Sequence, residues 1–175
     1  MKAAGSFAIF RSRDHLWPIA VAFGLYLFLT AIAIVGARTL PLLDTGIEPA
    51  GSQAQALAWP GVWARWDAGQ YVAIAEGGYE VDEKLTAWYP LYPLLIRLVS
   101  SLTGINAVAA GTLLSLLFTA VSFVLLYQVV YEEYGTAVAR LTIILLALFP
   151  TALFFYSIYS EALFLLLTVL AYGLA

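Results

Sequence analysis

The sequence predicts an all-α integral membrane protein, a polytopic helical bundle with a large first extracytoplasmic loop. Hydrophobic residues make up 63% of the 175 residues and charged residues only 11%, whereas soluble domains carry about 25% charged residues. Several apolar stretches reach the roughly 20 residues that a helix needs to cross a hydrocarbon core of about 30 Å. A polar, tryptophan-rich region separates the first two of these stretches.

The composition also excludes several classes of site. The chain has no cysteine, which excludes disulfide frameworks, thiolate metal sites and cysteine nucleophiles. Its one histidine, His15, cannot build a metal site, and we expect no metal or cofactor. The net charge of −3 and the lack of a basic tract predict no nucleic acid partner.

The first predicted transmembrane helix covers 16–37 and follows a cytoplasmic N-terminus, 1–15. Basic residues precede this helix, and flanking basic residues favour the cytoplasmic side: Lys2, Arg11 and Arg13. The alternative is a cleaved signal peptide, for which Val35-Gly36-Ala37 offers suitable small residues. However, the apolar stretch exceeds the roughly 7–15 residues of a signal peptide, so we interpret it as an anchor.

An extracytoplasmic loop with interfacial helices is predicted over 38–105. It is rich in turn signals, acids and tryptophans, and aromatic richness argues against disorder. The segment 91–102 is apolar but too short to span, so we place it on the membrane surface. If it spanned instead, the loop and the polar stretch Tyr159-Ser160-Glu161 would lie on opposite faces of the membrane.

The remaining chain predicts further spans. Transmembrane helix 2 covers 106–130 and helix 3 covers 137–158, where Pro150 interrupts the apolar run. A short polar connection at 131–135 joins them. The start of transmembrane helix 4 covers 161–175, and because the chain stops within this apolar run, we expect an N-terminal portion of a longer protein.

The densest cluster of polar and aromatic residues is Arg65-Trp66-Asp67-Ala68-Gly69-Gln70-Tyr71. The spacing of Trp59, Trp63, Trp66, Gln70 and Ile74 predicts one face of a continuous helix. On that helix Asp67 would be surrounded by rings and desolvated, which raises the basicity of a carboxylate and suits a general base. The alternative is an interfacial helix on which Asp67 is merely solvated.

Two further segments are open to two interpretations each. The run Trp88-Tyr89-Pro90-Leu91-Tyr92-Pro93 is either an aromatic platform at headgroup level or a break before a helix. Glu161 lies between two apolar runs, where an ionisable residue suggests function. It also fits the first turn of a helix capped by Ser160. The adjacent acids Asp82 and Glu83 predict a solvated turn.

Three segments in matching order carry a family resemblance. They are residues 65–79 with Arg65-Trp66-Asp67, the run Tyr89-Pro90-Leu91-Tyr92-Pro93-Leu94, and Phe149-Pro150 through Tyr159-Ser160-Glu161-Ala162-Leu163-Phe164. Over about 15–175 the chain resembles the PIG-V-like mannosyltransferases. The resemblance implies a C-type glycosyltransferase (GT-C) fold, a polyprenyl-phosphate mannose donor, and Asp67 as catalytic base.

The resemblance also implies a substrate site and a location. The expected substrate-binding residues are Arg65, Trp66, Tyr71, Tyr89, Tyr92, Arg97, Tyr159 and Glu161. The departing phosphate needs positive charge, which Arg65, Lys84 or Arg97 could supply if they do not simply anchor the chain at the membrane surface. The expected partners are membrane lipids, the lipid-linked donor and a lipid or glycan acceptor, in a bacterial or archaeal plasma membrane with the active site facing outside.

One base and one in-line attack predict transfer with inversion, through a transition state like that of glycoside hydrolysis. The alternative function is a non-catalytic GT-C-like membrane subunit, or a transporter segment, that binds lipid-linked sugar. A transport path normally needs polar groups within the spans, and the apolar runs 106–130 and 141–158 carry no charge.

Overall fold

The computed structural model describes residues 16–40, 58–80 and 82–174, and every regular element in these ranges is helical. The predicted all-α class is therefore confirmed for the described residues. Predictions for 1–15 and for the loop residues 41–57 lie outside the described part. The α-helices are α1 (Leu16–Thr39), α2 (Ala68–Gly77), α3 (Leu91–Thr103), α4 (Ala107–Leu148) and α5 (Glu161–Leu174), and the 3-10 helices are Gly61–Trp63, Glu83–Ala87 and Pro150–Phe155.

Helix α4 is a hairpin of two arms that meet at Gly135. The φ of 78° and ψ of 177° at Gly135 are not helical, and glycine tolerates such a positive φ because it has no Cβ. If α4 were straight, its 42 residues would span about 63 Å. Instead, the Thr119 hydroxyl in the first arm donates to the Phe155 carbonyl at 2.7 Å. The second arm therefore runs back along the first.

The ends of these helices correct three predicted boundaries. The first arm begins after Asn106, whose side chain accepts a hydrogen bond from the Ala109 N–H at 2.8 Å, and helix continues through the predicted connection 131–135 up to Gly135. Helix 3, predicted over 137–158, already ends at Leu148. Pro150 lacks the N–H that would continue an α-helix, and a 3-10 helix follows.

In the part of the chain that the structure describes, two helices, α1 and α4, are long and apolar enough to cross a membrane. Helix α3 coincides with the short apolar segment predicted at 91–102. Its 13 residues extend for about 20 Å, less than a hydrocarbon core of about 30 Å. Its position at the membrane surface stays a prediction.

Tryptophans hold the segment before α2 against α1. The Trp59 indole N–H donates to the Tyr26 hydroxyl at 2.6 Å, and the Trp63 indole N–H donates to the Thr30 hydroxyl at 3.2 Å. The rings of Tyr26 and Trp63 also stack, with centroids 5.6 Å apart. Helix α1 thereby fixes the chain that leads into the polar cluster around Asp67.

The main core joins α2, α3, the first arm of α4 and the start of α5. Gly111 in the first arm of α4 faces Ile158 and, in α3, Ile96. A Cβ built on Gly111 would lie 2.6 Å from Ile158 Cγ2 and 3.2 Å from Ile96 Cδ1. Both isoleucines are completely buried. The close approach of α3 and α4 therefore depends on the missing side chain of Gly111.

The substitution Gly111→Ala is expected to destabilise the fold by about 1–3 kcal/mol, the usual cost of inserting a methyl group into a packed core. The matched control is Gly24→Ala in α1, because a Cβ at Gly24 meets nothing within 4 Å. Thermal unfolding in detergent measures both. Equal melting temperatures for Gly111→Ala and the wild type would contradict this packing.

Candidate active site

Residues 64–67 break the continuous helix that the tryptophan spacing predicts over 59–74. Trp66 has a φ of +51°, and α2 begins only at Ala68. That prediction is wrong because a right-handed helix cannot pass through a left-handed residue. A non-glycine residue in this conformation costs about 1–3 kcal/mol, and such strain concentrates at functional sites.

The Tyr159 hydroxyl holds this strained turn from the far side of the sequence. It accepts a hydrogen bond from the Asp67 N–H at 3.0 Å and donates to the Arg65 carbonyl at 3.3 Å. The two bonds bracket Trp66 on either side. Tyr159 is 92 residues from Asp67 along the chain, so the third family segment completes the first.

A second tyrosine joins the beginnings of two helices. The Tyr71 hydroxyl in α2 and the Ser160 hydroxyl lie 2.9 Å apart and share a hydrogen bond. Ser160 directly precedes α5, whose first residue is Glu161. Asp67 directly precedes α2, and its side chain makes no capping hydrogen bond. The two helix starts therefore bring Asp67 and Glu161 to one site.

Both carboxylates influence the two tyrosines electrostatically. Burial is the main cause that raises the pKa of the Tyr159 hydroxyl, and the negative charges of Asp67 and Glu161 add to it. The pKa of the Tyr71 hydroxyl is likewise raised, first by burial and then by Glu161 and Asp67. Both phenols therefore stay protonated at neutral pH and keep their hydrogen bonds.

The environment of Asp67 differs from the sequence prediction in one respect. The carboxylate was expected to be desolvated among rings, but the Asp67 side chain is exposed. The ring of Trp63 is buried against Tyr26 of α1 instead, because no continuous helix places it beside Asp67. Asp67 thus lies at the open edge of an aromatic site, within reach of a substrate.

The two tyrosines of the proline-rich segment, both predicted to bind substrate, differ in their exposure to solvent. Tyr89 is 83% exposed, whereas Tyr92 is only 1% exposed. The Tyr92 hydroxyl lies 3.0 Å from the Gly111 carbonyl oxygen and 2.6 Å from Ser115 Oγ, and its ring contacts the Tyr71 ring edge-on at 5.3 Å. Tyr92 therefore supports the site from beneath.

The three candidate cations occupy different places. Arg97 Nε donates to the Ala75 carbonyl at 2.6 Å, and one terminal nitrogen lies 3.4 Å from the Ile74 carbonyl oxygen and 3.3 Å from that of Glu76. Its guanidinium thus caps the end of α2 remote from Asp67. Arg65 is half-buried directly beside Trp66, and Lys84 is exposed. Of the three, Arg65 lies nearest Asp67 in sequence.

The predicted turn at Asp82 is confirmed as exposed, and the Asp82 carboxylate accepts the Lys84 N–H at 2.9 Å.

Hydroxyl groups on α4 position the third family segment, and the sequence reasoning missed them. The Ser115 hydroxyl donates to the Ser157 carbonyl at 2.7 Å, and the Thr119 hydroxyl donates to the Phe155 carbonyl. These carbonyls belong to the irregular chain that follows Pro150, so they lack helical partners. The available signal was the spacing of small polar residues in an apolar helix: Thr112, Ser115, Thr119 and Ser122.

Within the described ranges, no group of three or more acidic or histidine side chains is arranged to hold a metal ion. The site contains the carboxylates of Asp67 and Glu161, the exposed ring of Trp66, and the protonated hydroxyls of Tyr71 and Tyr159. A carboxylate at an open edge can accept a proton from a bound hydroxyl. The aromatic rings around it can bury the apolar parts of a substrate.

The family model described as Mannosyltransferase (PIG-V) matches residues 25–174. This range contains all three segments that build the site. Searches among curated proteins and among solved structures returned no match.

Proposed function

Because the chain belongs to the mannosyltransferase (PIG-V) family, we propose that it transfers mannose from a polyprenyl-phosphate-linked donor to a lipid or glycan acceptor. The family and the two apolar helices indicate a membrane protein. The family also indicates a glycosyltransferase. The observation that carries the proposal is the meeting of Asp67 and Glu161 at the starts of α2 and α5. The Tyr159 and Tyr71 hydrogen bonds hold this meeting in place.

In the proposed reaction, Asp67 is the general base. The acceptor hydroxyl gives its proton to the Asp67 carboxylate while its oxygen forms a bond to the anomeric carbon. The bond from that carbon to the donor's phosphate oxygen breaks, and polyprenyl phosphate leaves with the electron pair. Because the attack is in line, a β-linked donor gives an α-mannoside. Such a proton transfer typically contributes about 10²–10⁴-fold to the rate.

The developing phosphate charge needs a cation, and we assign this role to Arg65. It is half-buried and lies two residues before Asp67, whereas Arg97 lies at the end of α2 remote from Asp67. A further donor is the Tyr71 hydroxyl, which shares a hydrogen bond with Ser160 and whose raised pKa keeps it protonated. Glu161 is the second carboxylate and would bind sugar hydroxyls.

We place this chemistry at the outer surface of a plasma membrane, in a multi-pass GT-C-type bundle. In this arrangement α1 and the first arm of α4 cross the bilayer, the second arm of α4 crosses back together with the 3-10 helix Pro150–Phe155, and α5 begins a further crossing. Helix α3 lies at the outer surface. The loop and Tyr159-Ser160-Glu161 would then share one face, which agrees with their hydrogen bonds. Donor phosphate at headgroup level would lie beside Asp67.

The test is a transfer assay in membranes from cells that express the intact gene, with polyprenyl-phosphate mannose labelled in the sugar. We expect label in a product that α-mannosidase releases, and none in matched membranes without the protein. Labelled polyprenyl-phosphate glucose is the control donor. Specific binding of the mannosyl lipid without transfer would instead favour a non-catalytic binding subunit.

A further inference from the structure

An aromatic shelf borders Asp67, and we define it as Trp66, Phe154 and Tyr159. Trp66 meets Phe154 edge-on with ring centroids 6.3 Å apart, and Phe154 meets Tyr159 at 5.1 Å. Trp66 is 51% exposed although it belongs to this cluster. Neighbouring Trp63, in contrast, is buried and bonded to Thr30. The indole of Trp66 is therefore the open end of the shelf.

The backbone explains why the indole of Trp66 stays exposed. Its left-handed φ of +51° turns the side chain away from the direction that a helix would give it. The Tyr159 hydroxyl fixes that turn through the peptide groups on both sides. Trp66 is strained and is held by another part of the chain, yet its apolar ring stays exposed. Because such strain is typical of functional sites, these features indicate that the ring binds a ligand and does not serve the packing of the core.

The chemistry around the indole indicates which ligand fits. One face of a hexopyranose carries mainly C–H groups, while hydroxyls project around its rim. A flat, electron-rich ring suits the C–H face, and the nearby carboxylates of Asp67 and Glu161 suit the hydroxyls as hydrogen-bond acceptors. We propose that the Trp66 indole is the platform on which the hexose ring of the donor stacks, an inference that rests on the proposed function.

The test compares two lipids that differ only in the sugar. Binding of radiolabelled polyprenyl-phosphate mannose and of bare polyprenyl phosphate is measured on the intact protein in lipid nanodiscs. The ratio of the two affinities isolates the contribution of the hexose. We expect the wild type to prefer the mannosyl lipid and Trp66→Ala to lower that preference about three- to tenfold.

Trp66→Phe keeps an aromatic face and should retain most of the preference. Tyr172→Ala removes an exposed ring from the other end of α5, 62% exposed, and should leave the preference unchanged. If Trp66→Ala weakens both lipids equally, the indole is a membrane anchor and the proposal is overturned. An unchanged preference in Trp66→Ala overturns it as well.

This binding experiment and the transfer assay together separate the inference from the proposed function. If the wild type prefers the mannosyl lipid but transfers no mannose, the proposed transferase function is refuted and the proposed role of Trp66 is not. A wild type that transfers mannose while Trp66→Ala keeps its preference would refute only the platform. A wild type without preference or transfer refutes both.

Discussion

Asp67→Asn is expected to lower mannose transfer by about 10²–10⁴-fold, the usual contribution of a general base. Asparagine has nearly the same shape as aspartate but cannot accept the proton of the acceptor hydroxyl. The Asp67 side chain is exposed and makes no capping hydrogen bond. The free energy of unfolding should therefore change by less than about 0.5 kcal/mol. Initial rates and thermal unfolding at matched protein levels measure both effects.

Asp82→Asn is the matched control for Asp67→Asn. Asp82 is also exposed and also precedes a short helical turn, where its side chain accepts the Lys84 N–H at 2.9 Å. Asparagine keeps that acceptor, so transfer should stay within about twofold of wild type, as is usual for surface sites remote from the chemistry. Full transfer by Asp67→Asn would exclude Asp67 as the base. Loss of transfer in Glu161→Gln alone would then assign that role to Glu161.

The sequence was sufficient for the parts of this fold that depend on local composition. Apolar length predicted α1 and the first arm of α4, and Pro150 marked the interruption after the second arm. The meeting of Tyr159-Ser160-Glu161 with the loop was predicted from the count of chain reversals. That count treats the segment of α3 as a surface helix, a position that stays a prediction.

The finer geometry of the site could not be predicted because it depends on tertiary contacts. A periodicity argument assumes a regular helix, so it could not detect the left-handed backbone of Trp66. Tyr159 stabilises that backbone through its bond to Asp67, which is 92 residues away. The same limit applies to Arg97. Its charge suggested a phosphate ligand, and only the structure shows that its Nε and one terminal nitrogen bond the carbonyls at the end of α2. Tyr92 carries a motif position and is nevertheless buried under the site.

The second large effect is expected for Tyr159→Phe, which keeps the ring and removes only the hydroxyl. The Asp67 N–H then loses its acceptor and the Arg65 carbonyl loses its donor, so the strained turn between them can relax. A base displaced by about 1 Å can cost about 10²-fold in rate. We therefore expect kcat to fall about 10- to 100-fold with little change in KM, because the shelf ring remains in place.

A purely structural role of Tyr159 would give a different pattern, and Tyr79→Phe provides the comparison. The Tyr79 hydroxyl donates to the Trp88 carbonyl at 2.7 Å, so this variant also loses a phenol-to-backbone bond, beyond the far end of α2. Each variant should lose about 1 kcal/mol of stability. Only Tyr159→Phe should lower kcat per folded molecule, since only its hydroxyl bonds to the peptide N–H of the proposed base. Equal kcat in the two variants would show that the Tyr159 hydroxyl stabilises the fold without positioning Asp67.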